Sequence, residues 1–72
     1  MKSLLDMTKG ETGYIASFLN PIFTCKFYNL GIVPHTRITM VRKSPFGGAY
    51  YIKIEDSLVA LRKNEAQCIL LK

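Results

Sequence analysis

The chain has no tryptophan, one histidine, two cysteines and five acidic residues among 72. Each scarcity removes a class of protein. The single histidine, His35, has no carboxylate beside it in sequence, so there is no local set of groups for acid–base or triad chemistry, and no enzyme is expected. Cys25 and Cys68 fall short of the several bridged pairs by which small secreted domains reinforce a thin core; they are expected as free thiols in a reducing cytosol. Neither Cys-x-x-Cys nor His-x-x-x-His spacing occurs, so Cys25, Cys68 and His35 are read as structural residues, with no metal site and no cofactor. The longest stretch without formal charge, residues 12–25, is shorter than the roughly 20 apolar residues of a spanning helix, and Asn20-Pro21 interrupts it. Leu4 and Leu5 stand among Lys2, Asp6 and Lys9, so no export signal is expected, and the chain reads as cytoplasmic.

What is present is apolar surface. Hydrophobic residues make up 49% of the chain, with four Tyr and four Phe, enough to offset chain entropy and exclude a disordered segment. At this length only roughly 60% of the unfolded surface can be buried, so a single small domain over residues 1–72 with a shallow core is expected. The net charge of +5 raises the question of nucleic acid. The cations never exceed two in a row, however, as in Arg42-Lys43 and Arg62-Lys63, and they read as a solvated surface.

Turn residues at Gly10, Gly13, Asn20-Pro21, Gly31, Pro34, Ser44-Pro45, Gly47-Gly48 and Glu55-Asp56-Ser57 divide the chain into pieces of strand length with one exception. Residues 12–19, rich in Thr, Tyr, Ile and Phe, predict a strand. Residues 21–30 predict a short helix, capped by Asn20, opened by Pro21 and stopped by Gly31. Phe23, Phe27 and Leu30, with Ile22 adjoining, form the apolar face that should pack on the sheet. Alternation in residues 37–43, broken at Val41, and in residues 50–54 predicts a hairpin closed by residues 44–48. Residues 57–61 and 69–71 predict two further strands, with a helical turn at residues 64–67 between them. Five short strands and one helix imply a mainly β fold closed into a small barrel, with the helix between the first two barrel strands.

Few motifs carry chemistry. Gly10-Glu11-Thr12-Gly13 lacks the Gly-Lys-Ser/Thr ending of a phosphate loop and reads as a turn. Tyr50, Tyr51, Arg42 and Lys53 on adjoining strands are the residue types by which small barrels stack bases, but Tyr50 shares the face of Ile52 and Ile54 and reads as core. Leu30-Gly31-Ile32-Val33-Pro34 and Pro45-Phe46-Gly47 set apolar side chains in connections, where exposure would favour a protein partner.

The order and spacing of several pieces resemble the FeoA family of bacterial ferrous iron transport. They are Leu5 followed by Lys9-Gly10-Glu11, Leu30-Gly31-Ile32-Val33-Pro34 with Ile38 beyond, Pro45-Phe46-Gly47, and Ala60-Leu61-Arg62 followed by Glu65-Ala66 and Ile69. The likeness covers residues 4–69. It departs from the family pattern at His35, where glycine is usual, at Lys26-Phe27, where an Arg-Leu pair is usual, and at Asp56, near which glycine is frequent. The resemblance implies an SH3-like barrel of about five strands and a non-enzymatic accessory role with FeoB, the membrane transporter bearing a cytosolic GTP-binding domain. The partner surface is expected at the helix end and its exit: Lys26, Asn29, Leu30, Ile32 and Val33. Dispersed acids and one histidine give no cluster suited to ferrous iron, so no intrinsic iron site is expected. Two alternatives remain: a stand-alone SH3-like module that binds a metal-dependent transcription regulator, and a small-barrel nucleic-acid binder.

Overall fold

A computed structural model describes residues 2–72. Six strands and two helices follow in the order β1 (Lys2–Ser3), a 3-10 turn (Leu4–Asp6), β2 (Thr12–Phe18), α1 (Pro21–Asn29), β3 (Arg37–Lys43), β4 (Tyr50–Ile54), β5 (Ser57–Leu61), α2 (Lys63–Ala66) and β6 (Ile69–Leu71). The strands pair antiparallel in the order β1-β6-β2-β3-β4-β5. Residues 2 and 3 supply a strand that the sequence reading did not include, too short to show any alternation.

β2 makes the corner of the fold. Its first half pairs with β3, Thr12 opposite Thr39 and Tyr14 opposite Arg37; its second half pairs with β6, Ile15 opposite Leu71 and Phe18 opposite Ile69. The register slips between Ile15 and Ser17, and such an irregularity bends a strand enough to serve two sheets at once. A second slip lies between Met40 and Arg42 of β3, which leaves Val41 without a partner on β4. That bulge is the physical reason why alternation fails at Val41 while Ile38, Met40, Ile52 and Ile54 all point into the core. Closure is incomplete: no ladder among the described residues joins β5 to β1, so β5 keeps a free edge where the sequence reading expected none.

The core gathers Leu4, Met7, Ile15, Phe27, Ile32, Ile38, Met40, Ile52, Leu61 and Ile69, all fully buried. Leu4 comes from the 3-10 turn, where Ser3 caps the Leu5 N–H and Asp6 returns a bond to the Ser3 N–H. The two ends of the chain are joined through Lys2 opposite Leu71.

α1 begins and ends as its sequence predicts. The Asn20 side chain accepts from the Ile22 N–H at 2.9 Å, and Pro21 takes the first helical position. At the other end Gly31, φ +83°, donates to Tyr28 O at 3.1 Å, and Ile32 donates back to Phe27 O at 2.8 Å. This pair of bonds is a Schellman turn, which buries the residue after the glycine against the last helical turn. Ile32 and Phe27 accordingly share the core. The apolar face needs two corrections: Ile22 is 79% and Leu30 38% exposed, and the helix is held by Phe23 and Phe27, with Phe18 of β2 at 5.0 Å from the Phe27 ring.

Candidate docking surface

α1 buries one face and leaves another bare. With Phe27 inward, Ile22, Cys25, Lys26 and Asn29 recur at the i, i+3, i+4 and i+7 spacing of the opposite stripe, and all four are exposed. Leu30 is 38% exposed at the C-terminal cap, and Val33 is half-buried beyond it. Of the five residues expected at a partner surface, Lys26, Asn29, Leu30 and Val33 are thus brought together at this end of the helix. Ile32 is removed from it by the Schellman turn, because its side chain is wholly buried. Ile22 and Cys25, which the sequence reading did not place there, share the exposed stripe. The 3.6-residue period relates Ile22 to Lys26 and Asn29, but an apolar residue beside Phe23 reads first as core.

Lys26 is anchored from below. Its ammonium donates to the Glu65 carboxylate, which is 4% exposed and also accepts the Arg62 N–H at 2.9 Å. Burial pushes the Glu65 carboxyl up, but the Arg62 N–H and the Lys26 ammonium together outweigh burial and hold it below the ordinary carboxylate range. The pair ties α1 to the N-terminus of α2 and fixes the lysine stem across the helix surface.

The other residues singled out from sequence have structural work. His35 sits at φ +73°, the left-handed region, with its N–H on Ile15 O at 2.7 Å and its Nδ1 accepting from Lys72. It lines an open cleft of about 560 Å³ with Tyr14, Arg37, Lys53 and Glu55; neither cysteine reaches that cleft. Cys68 is buried with its thiol on Asn64 O, and Cys25 is exposed on α1; neither is bridged. Among the described residues no three His, Cys, Asp or Glu side chains converge as a metal site would require. Glu11 closes its turn on Thr8 N–H and pairs with Lys2, contacts that together hold its carboxyl below the ordinary range. Tyr50 is buried, as expected, and Tyr51 is covered by the Arg42 guanidinium 4.9 Å from its ring centre, so the residues of a base-stacking platform are engaged with one another. Phe46, at the tip of the β3–β4 connection, is 98% exposed. No described helix is long and apolar enough to cross a membrane.

Two small sheets sharing a bent corner strand, with a helix inserted after that strand, define an SH3-like domain, and solved structures share this architecture. FeoA from Chlorobium tepidum is 22% identical with a TM-score of 0.88, covering 97% of this chain and 68% of its own. The zinc complex of Stenotrophomonas maltophilia FeoA, described as a procaryotic SH3 domain protein, is 22% identical with a TM-score of 0.84, covering 100% of this chain and 91% of its own. A manganese-dependent transcriptional repressor shares the fold at 25% identity and a TM-score of 0.88, and this chain spans 40% of that protein's length. Comparison with curated protein sequences gives no match. The FeoA domain model matches residues 2–72, and the chain belongs to the FeoA family.

Proposed function

We propose that this chain is a non-enzymatic, cytoplasmic accessory protein of ferrous iron uptake that works by docking on the cytosolic part of a FeoB-like transporter. The observation that carries the reading is the bare stripe of α1 and its exit, Ile22, Lys26, Asn29, Leu30 and Val33. Membership of the FeoA family supplies the link to iron transport. Apolar side chains beside a lysine held by an ion pair to Glu65 suit a protein surface, since the ion pair lowers the side-chain entropy left to lose on contact. In this reading iron itself is the transporter's cargo.

The test is a titration of isotope-labelled protein with the soluble GTP-binding domain of the same organism's transporter, at two salt concentrations. Amide shifts clustered on residues 22–33 and surviving moderate salt support the reading. Ile22→Glu and Asn29→Glu should each weaken binding roughly tenfold without changing the fold, as truncation of a central contact does. Shifts elsewhere would discard the surface. Similarity to a metal-dependent repressor favours a second reading, a module that touches a transcription regulator; shifts with such a regulator and none with the transporter domain would establish it in place of the first.

A further inference from the structure

β5 is an edge strand without the usual protection. Residues 57–61, Ser-Leu-Val-Ala-Leu, carry no charge, no proline and no bulge, and they pair on one side only, with β4. The two-residue turn at Glu55-Asp56 makes Ile54 and Ser57 the closing pair, so hydrogen bonding alternates from there along the ladder. Ser57, Val59 and Leu61 therefore direct their N–H and C=O groups to β4, while those of Leu58 and Ala60 face outward. Leu58 is 66% exposed, and Ala60 is exposed beside it.

The charges around this strand are self-complementary. Glu55-Asp56 precede it and Arg62-Lys63 follow it, at equal distances from Val59. When two copies pair antiparallel about Val59, Leu58 of each stands opposite Ala60 of the other, the arrangement in which the outward backbone groups can bond reciprocally. The same register brings the Glu55-Asp56 turn at the start of one β5 to the end of the other, where Arg62 and Lys63 leave it, acidic end beside basic end. Sliding the register by two residues in either direction keeps the backbone bonds possible but loses the charge matching. Among the described residues none of these four charged side chains forms an ion pair within its own chain.

We propose that β5 is a self-association edge, through which two copies of this chain form a two-fold dimer with β5 on β5 and one continuous sheet. The interface is small, so the dimer is weak and forms with rising concentration. It does not use the exposed face of α1 and stands independently of the transporter reading.

The experiment exchanges the charges. Asp56→Arg brings an arginine to the Arg62-Lys63 end of the second copy, and Arg62→Asp brings an aspartate to its Glu55-Asp56 turn. Each variant alone should dissociate roughly tenfold more readily than the parent, two like-charge pairs replacing two opposite ones. An equimolar mixture should recover association, because each copy then faces its opposite. Sedimentation velocity over a concentration series reads the mass, and amide spectra confirm that each variant is folded. Ala60→Pro gives a separate check, since it removes an N–H that faces solvent in the monomer and should abolish the dimer while leaving the β4 ladder intact. A parent chain that stays monomeric at about millimolar concentration overturns the proposal, as do single variants that associate like the parent or a mixture no better than its components. Dimerisation of the parent with amide changes away from residues 55–63 overturns it too.

Discussion

At the scale of single residues, the informative positions are those where side chain and backbone disagree. His35 occupies φ +73°, a conformation that glycine adopts at no steric cost and other residues adopt at about 1 kcal/mol or more. Its neighbours hold it there, through its N–H on Ile15 O and its ring on Lys72. His35→Gly should therefore stabilise the fold by about 0.5–1 kcal/mol, the relieved strain exceeding the added freedom of the unfolded chain, whereas His35→Val should lose about 2 kcal/mol. Urea denaturation checks both; equal midpoints would mean that the turn relaxes to another form. Glu65 is the opposite case, a charge that burial alone would expel and two donors retain. Its folded pKa lies below that of the unfolded chain, so its contribution to stability is present above about pH 4.3 and is lost as pH falls through the folded value. Glu65→Gln should cost roughly 1–3 kcal/mol at neutral pH, with the gap to the parent narrowing as the carboxyl of the parent takes up its proton. Glu11, also held low, is common to both proteins and cancels from the comparison. A gap constant with pH would show that Lys26 and the Arg62 N–H do not hold the carboxylate.

At the scale of elements, the ends of α1 rest on backbone geometry more than on helix propensity, since nine residues make a marginal helix in isolation. Gly31 needs positive φ, and nothing lies within 4 Å of where its Cβ would stand. Gly31→Ala therefore meets no clash and should cost about 1 kcal/mol from backbone strain alone. Asn20→Ala, which leaves the Ile22 N–H uncapped, should cost about as much. A loss of more than about 3 kcal/mol for either, by thermal melting, would place the defect in the core instead. These caps were legible because each rests on a single residue type at a single position. The alternating strands were legible for the same reason, Tyr50, Ile52 and Ile54 facing inward as their period requires. What stayed hidden depends on partners distant in sequence. β1 exists only because β6 lies beside it, Val41 bulges only in register with β4, and Ile32 is buried only once Gly31 turns the chain back on Phe27. The exposed stripe of α1 was half visible for that reason: Lys26 and Asn29 read as solvent-facing, but whether Ile22 is core or surface is decided by how Phe27 seats on Phe18 and Phe23 on Phe27.

At the scale of the whole molecule, the last strand carries more than its length suggests. β6 is three residues long, yet among the described residues it alone pairs with β1, it supports the second half of β2, and the backbone N–H of its following residue, Lys72, donates to Tyr14 O. Ile69 and Leu71 are both buried, each worth about 1.5–3 kcal/mol in transfer from water. A domain of this size has a total stability near the low end of about 5–15 kcal/mol. Two buried side chains and two ladders are comparable to the whole of it. Deleting residues 69–72 should leave a chain without cooperative unfolding or dispersed amide shifts, although β3, β4 and β5 remain in sequence. Phe46→Ser is the control at the opposite end of the scale: it removes a larger side chain, but one already 98% in solvent, and the melting temperature should not move. A truncated chain that keeps a dispersed spectrum would show that the β3–β4–β5 sheet folds alone, and that β2 is a boundary between two units rather than the corner of one.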